Sequence, residues 1–231
     1  MRKNNTTFAL AALVCTVIFT NACRGTFFSD CGNFISAFLR DPKSVGSVIP
    51  SSRFLTKAMT KYIDKKRYYP VSILEIGAGT GAITEKIIEK MNPEDRLDVI
   101  EIDSKLSNVL KQKFEKYANV HVHCVSILDW NPAYQYDYIV SALPFNSFDA
   151  QTVEVVLHKF KSMIKDKGII SYVELMAMSS VKKSFLRGGK KRDFANNVAH
   201  RSDFCKKYEF DKDRVMLNIP PARVYHLKIT K

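Results

Sequence analysis

"ILEIGAGTGAIT", Ile73 to Thr84, decides the fold. It begins as an apolar run interrupted by one carboxylate, Glu75. Gly77, Gly79 and Gly81 follow at alternate positions, and the chain then turns helical. Three glycines between a buried strand and a helix would weaken both elements, unless the backbone has to turn sharply and let something approach closely. Strand, glycine turn, helix is the opening unit of a parallel sheet whose ligands bind beyond the carboxyl ends of its strands. Working outward, apolar runs predict strands over 71–76, 96–102, 119–124, 136–141 and 168–175, with helices over 82–91, 104–117, 149–165 and 192–207. Strands apolar on both faces that alternate with helices predict a doubly wound α/β architecture. Two further β-like runs, "EFDKDRVMLNI" and "ARVYHLKIT", have no helix between them and predict an antiparallel hairpin that completes a seven-stranded, mostly parallel sheet.

The segment ahead of this core divides in two. Residues 1–26 hold a basic start, "MRKNNTT", and the apolar run Phe8 to Thr20, the form of a secretory signal or a membrane anchor. At 13 residues the run is short for a membrane span. Residues 27–70 predict two helices: a phenylalanine-rich one over 27–39, packed on the core or lying in a membrane interface, and one capped by Ser51 or Ser52 that runs to about Ile63. The core is placed at 71–231. The chain has 231 residues and a net charge of +13, an excess that favours a polyanionic partner, either nucleic acid or an anionic membrane. Five scattered cysteines without a CxxC pair disfavour a disulfide framework or a zinc site, so no metal is expected.

"GAGTGA" fits G-x-G-x-x-A, the dinucleotide fingerprint, with Glu101 in "VIEID" as the ribose acid. Counted from Glu75 it also fits E-x-G-x-G-x-G, and in that form it resembles motif I of the class I S-adenosylmethionine-dependent methyltransferases. That resemblance implies S-adenosylmethionine as cofactor, held by Glu75, Gly77, Gly79, Gly81, Glu101 and Ile102, with Ser141 at the end of the fourth strand. In these enzymes an Asp after the third strand often holds the adenine amine. Here its register falls on Ser126, which leaves the Ser126 hydroxyl, the Ile127 amide or Asp129 for that contact.

"SALPFNSF", Ser141 to Phe148, stands where amine-methylating enzymes carry an Asn-x-Pro-Tyr turn. An aromatic amine needs the amide of that turn to accept its N–H bonds and restore the nitrogen lone pair. Ala142 occupies the place, while Leu143, Pro144 and Phe145 keep the proline and the aromatic residue. "LEIGAGTGAIT" and "VIEID" are shared almost letter for letter with rRNA adenine dimethylases. Over nearly its full length, however, the chain resembles the bacterial phosphatidylethanolamine N-methyltransferases, through "FLRDPKSVGSVIPSSRFLTKAM", "VSALPFNSF" and "NIPPARVYHL". That resemblance implies methylation of a lipid alkylamine to make phosphatidylcholine. Its substrate residues are then Phe145, Phe148 and Tyr172 as aromatic faces for an alkylammonium, and Ser51, Ser52, Arg53 and Arg223 for the phosphate. It implies a phospholipid and an anionic membrane as partners, with Lys182, Lys183, Arg187 and Lys190 to Arg192 as a basic docking run. Because the donor is made in the cytoplasm, the enzyme is expected at the cytoplasmic face, with residues 8–20 uncleaved. The alternatives are an rRNA adenine dimethylase and a noncatalytic membrane-surface protein on the same fold.

Overall fold

A computed structural model describes residues 51–176, 186–218 and 220–231, all within one compact unit, Pro42–Lys231. The leader, the phenylalanine-rich helix, Lys182 and Lys183 lie outside the described residues. Helix α1 (Arg53–Met59) precedes β1 (Ser72–Ile76), α2 (Ala82–Ile88), β2 (Arg96–Glu101), α3 (Ser104–Phe114), β3 (Val120–Cys124) and β4 (Tyr136–Ser141). A 3-10 turn (Phe145–Ser147) then leads to α4 (Ala150–Met163), β5 (Ile164–Leu175), α5 (Gly188–Tyr208), β6 (Glu209–Val215) and β7 (Ala222–Lys228).

The seven strands form one sheet in the order β3-β2-β1-β4-β5-β7-β6. The first five are parallel, and β7 runs antiparallel between β5 and β6. The expected doubly wound sheet and closing hairpin are therefore present. The centre of the sheet is dry because β1, β2 and β4 carry apolar side chains toward both faces. One face buries Leu74, Ile139, Phe160 and Ile170 beneath α4 and α5, and the other buries Ile73, Val99, Leu110 and Val140 beneath α1, α2 and α3.

Element ends differ from expectation where tertiary pairing overrides local pattern. β5 starts at Ile164, not at 168, because Ile164 pairs with Tyr136 ahead of a register shift. α5 starts at Gly188, and α1 ends at Met59. α1 is fastened to the hairpin by Lys61, whose Nζ lies 2.6 Å from Asp211 and 3.1 Å from Asp213. Asp211, Asp213 and His226 lie close enough together for metal ligands, but both carboxylates are engaged by the one lysine ammonium and Asp213 also by His226 Nε2 at 3.0 Å.

Candidate active site

Strands β1 and β4 end level, at the paired residues Ile76 and Ser141, and the Ala142 amide still donates to the Ile76 carbonyl at 2.9 Å as the two chains leave the sheet. Gly81 caps α2 in the left-handed region at φ 85°. A Cβ at Gly81 would sit 2.8 Å from Leu110 Cδ2 and 3.0 Å from the Phe114 ring, so α2 can lie this close to α3 only over a glycine. The Gly79 amide donates to Glu101 Oε2 at 2.8 Å, and the Asp103 amide donates to Oε1 at 3.0 Å. Both carboxylate oxygens are thus fixed by backbone, and each keeps acceptor capacity for a ligand.

Beyond the strand ends lies a cleft of about 530 Å³, within the roughly 300–1,000 Å³ of small-molecule sites. Gly77 and Glu101 form its floor, and Ile102, Ser126, Ile127 and Leu128 form one wall. Ile102 is 71% exposed, an apolar surface facing the opening with nothing packed over it. The Ser126 hydroxyl accepts from the Leu128 amide at 3.2 Å, while Ile127 is buried in the core. Asp129 is not among the lining residues. S-adenosylmethionine fits this site: a doubly anchored carboxylate suits a ribose diol, and an unpartnered isoleucine beside it suits a flat base. Glu75, two residues before Gly77, is fully buried and makes no hydrogen bond of sound geometry. Burial, reinforced by the charge of Glu101, pushes its carboxyl up to about 8, and Thr84 pulls it only partly back. A cationic group bound above would offset that unpartnered acid.

Leu143, Pro144 and Phe148 line the opposite wall with Ala142. Phe145 does not, which corrects the expectation that its ring faces an acceptor. The 3-10 turn rotates it inward to 2% exposure, with its ring edge-on to Phe148, Phe160 and Tyr172. Tyr172 is buried as well, stacked on Tyr225 with ring centroids 5.1 Å apart. Its hydroxyl lies 2.9 Å from Cys205 Sγ, and burial raises its pKa well above that of a free phenol. Of the three expected aromatic faces, only Phe148 reaches the cleft.

A group with no local sequence signal holds this turn. Asn197 in α5 is buried, and its Nδ2 donates to the Phe145 and Phe148 carbonyls at 2.8 Å each. Arg201, one helical turn on, donates from Nε to Asn197 Oδ1 at 2.9 Å and from Nη2 to Asn146 Oδ1 at 3.0 Å. Its Nη1 is ion-paired with Glu174. Asn146, the amide nearest the expected acceptor position, is therefore turned away from the cleft.

The expected phosphate residues are not gathered here. Ser52 caps α1, its Oγ accepting from the Leu55 amide at 3.2 Å, and Ser51, Ser52 and Arg53 do not line the cleft. Arg53 is exposed, 4.9 Å over the Phe54 ring. Arg223 bonds the Tyr225 hydroxyl at 3.1 Å and lines a separate groove between α5 and the hairpin. Ser141 is buried, with its hydroxyl turned to the Leu143 amide at 3.4 Å. Arg187 and Lys190 to Arg192 fall at the start of α5.

This sheet, glycine turn and cleft define a class I S-adenosylmethionine-dependent methyltransferase. The family model for ribosomal RNA adenine dimethylase matches residues 33–174. The chain belongs to that family, and its cofactor is S-adenosylmethionine. It is 28% identical over 149 residues to the ornithine lipid N-methyltransferase of Singulisphaera acidiphila, a match covering 62% of this chain and 77% of that one. It is 35% identical over 89 residues to the probable ribosomal RNA small subunit methyltransferase A of Methanosarcina barkeri, covering 38% of this chain but only 30% of that one. Among solved structures, the N-methyltransferase NodS of Bradyrhizobium japonicum WM9 with S-adenosyl-L-homocysteine superposes with TM-score 0.56 at 15% identity, over 86% of this chain and 100% of that one. At that identity the likeness is one of fold.

Proposed function

We propose that this methyltransferase acts on a lipid-borne alkylamine, that of phosphatidylethanolamine and its methylated intermediates, to make phosphatidylcholine at the cytoplasmic face of a membrane. One observation carries the reading. The acceptor wall of the cleft is Ala142, Leu143, Pro144 and Phe148, and the nearby amide of Asn146 is spent on Arg201. A nucleobase amine would find no side-chain amide there to accept its N–H bonds, only backbone carbonyls and the Thr152 hydroxyl, whereas an alkylamine has a localised lone pair and does not depend on such an amide. The lipid amine methylated by the Singulisphaera relative supports the same class of acceptor. The family model and the Methanosarcina relative favour the second reading, an rRNA adenine dimethylase.

S-adenosylmethionine, when bound, supplies a sulfonium methyl group. The chain supplies position. Glu101 and the glycine turn hold the donor, and Ala142 to Pro144 present an apolar wall to the incoming nitrogen. As the N–C bond forms and the C–S bond breaks, the nitrogen must have lost its proton. Glu101 and Asp103 are the titratable residues in the cleft wall among the described residues, and both belong to the donor side. The Tyr172 hydroxyl is buried with its pKa raised. The proton therefore leaves to water before the amine enters, and Phe148 offers a ring face to the methylated cation, a contact worth about 0.5–2 kcal/mol.

The test is incubation with radiolabelled S-adenosylmethionine and three acceptors: vesicles containing phosphatidylethanolamine, vesicles containing ornithine lipid, and unmodified rRNA. Label in phosphatidylethanolamine is expected. Label in ornithine lipid alone would replace the headgroup, and label in rRNA alone would sink the lipid reading.

A further inference from the structure

We propose that the corner where α1 starts beside the β6–β7 turn is a docking surface for an anionic lipid bilayer. Met216 and Leu217 form the tip of that turn, each 61% exposed, and Phe54 at 39% joins them around one shallow hollow. Turns are ordinarily built from small and polar residues. Here the polar residue of the turn is the one turned inward. Asn218 is buried, its Oδ1 accepting the Ser52 amide at 3.2 Å and its Nδ2 donating to the Pro220 carbonyl at 2.8 Å. That clamp ties the turn to the start of α1 and holds the two aliphatic side chains out in water.

The rim supplies the complementary charge. Lys57 and Arg214 line the hollow and Arg53 stands exposed beside it over the Phe54 ring; none of the three pairs with a carboxylate among the described residues. Asp213 also lines the hollow and, with Asp211, shares the single charge of Lys61, so the corner counts Arg53, Lys57, Lys61 and Arg214 against two carboxylates and stays net positive. An apolar tip inside a basic rim is what an anionic bilayer selects: side chains enter the acyl boundary while each rim cation gains about 1 kcal/mol from anionic headgroups. Nucleic acid is a poorer occupant, because the most exposed side chains of the corner, Met216 and Leu217, are aliphatic and offer a base no stacking face, and the one aromatic ring, Phe54, is covered on one side by Arg53.

The position matters for the lipid reading, on which this last step rests. Ala222 is paired with both Leu175 and Val215, so the turn leaves the sheet at the edge where β5 ends. β1 and β4 end at that same edge, and the donor cleft opens there. Seating the corner in a bilayer brings that edge of the sheet to the lipid headgroups. A competing exposed pair, Tyr68 and Tyr69, lies just before β1 at the opposite edge.

The chain has a single tryptophan, Trp130, so Trp130→Phe with Leu217→Trp gives the full-length protein one local reporter. With vesicles of phosphatidylglycerol and phosphatidylcholine, emission from residue 217 is expected to shift to the blue and to be quenched by brominated acyl chains. Phosphatidylcholine alone should have little effect, and adding Lys57→Glu and Arg214→Glu should weaken the response at least tenfold. A reporter placed by Tyr68→Trp should stay in water. In the otherwise native chain, Met216→Ser with Leu217→Ser should lower partition onto the same vesicles at least fivefold. No quenching at 217, quenching at 68 in its place, an equal response to an rRNA fragment, or unchanged partition of the serine variant would each overturn the proposal. The readout is depth and not methylation, so failure of the enzyme to label any lipid would count against the substrate reading and leave this one standing.

Discussion

Glu75→Gln should change the pH dependence of stability more than its value at any one pH. The Glu75 carboxyl is fully buried without a hydrogen bond of sound geometry, and burial lifts it from the usual 4.5 to about 8. Below pH 4.5 the group is protonated in both the folded and the unfolded chain and contributes no slope. Between pH 4.5 and 8 the unfolded chain releases the proton and the folded chain keeps it, so stability falls as pH rises; above 8 both have lost it and the loss is complete. A span of about three and a half pH units, at about 1.4 kcal/mol each, makes that loss roughly 5 kcal/mol. Glutamine has the same shape and no proton to lose. It leaves a buried amide unpaired at about 1–3 kcal/mol, independent of pH. Urea unfolding at pH 5.5 and 8.5, without S-adenosylmethionine, should therefore show the variant within about 2 kcal/mol of the native protein at the lower pH and more stable than it by roughly 2–4 kcal/mol at the higher. Two parallel curves would mean that Glu75 is ionised in the folded state and that its surroundings beneath the glycine turn are hydrated.

Glu101→Ala removes the carboxylate that the Gly79 and Asp103 amides orient; calorimetric affinity for S-adenosylmethionine should fall by more than about 100-fold, the loss of charge-assisted bonds to two hydroxyls. Gly81→Ala places a methyl 2.8 Å from Leu110 in a left-handed conformation, so denaturant unfolding should show a cost of roughly 2–4 kcal/mol. Asn197→Ala leaves the Phe145 and Phe148 carbonyls without their 2.8 Å donors; methyl transfer should slow at least tenfold while donor affinity stays within twofold, and loss of both in parallel would make the residue a general stabiliser. Because the acceptor wall has no base, log kcat/KM for a lipid amine should rise with slope one up to the pKa of the amine, and a plateau near neutral pH would reveal a proton acceptor on the protein.

The sheet was legible because its central strands are apolar on both faces, and a period-free apolar run of five or six residues bounded by turns has few other uses. Two residues of the cleft lining were legible for the same local reason: Gly77 and Glu101 each sit at the end of a strand that the sequence marks. The acceptor half was not. Phe145 reads as a stacking aromatic from its place after a proline, yet the 3-10 turn carries it into a pocket made by Phe160 and Tyr172, residues distant in the chain. Asn197 and Arg201 look like surface residues of a polar helix, and only the fold shows that they bond a turn about fifty residues earlier. The cap at Ser52 is legible from its place before the helix, whereas Arg223, which its chemistry suggests for a phosphate, bonds the Tyr225 hydroxyl.

The strand order has a consequence for synthesis. β7 is translated after β6 but lies between β5 and β6. Until residues 222–228 leave the ribosome, the "IISYVEL" run of β5 has an unpaired flank, while β1 to β4 and the donor cleft can already close. Such a flank can pair with another chain. A stall or nonsense codon after β6 would then release a chain able to bind the methyl donor and prone to joining edge to edge with its own copies.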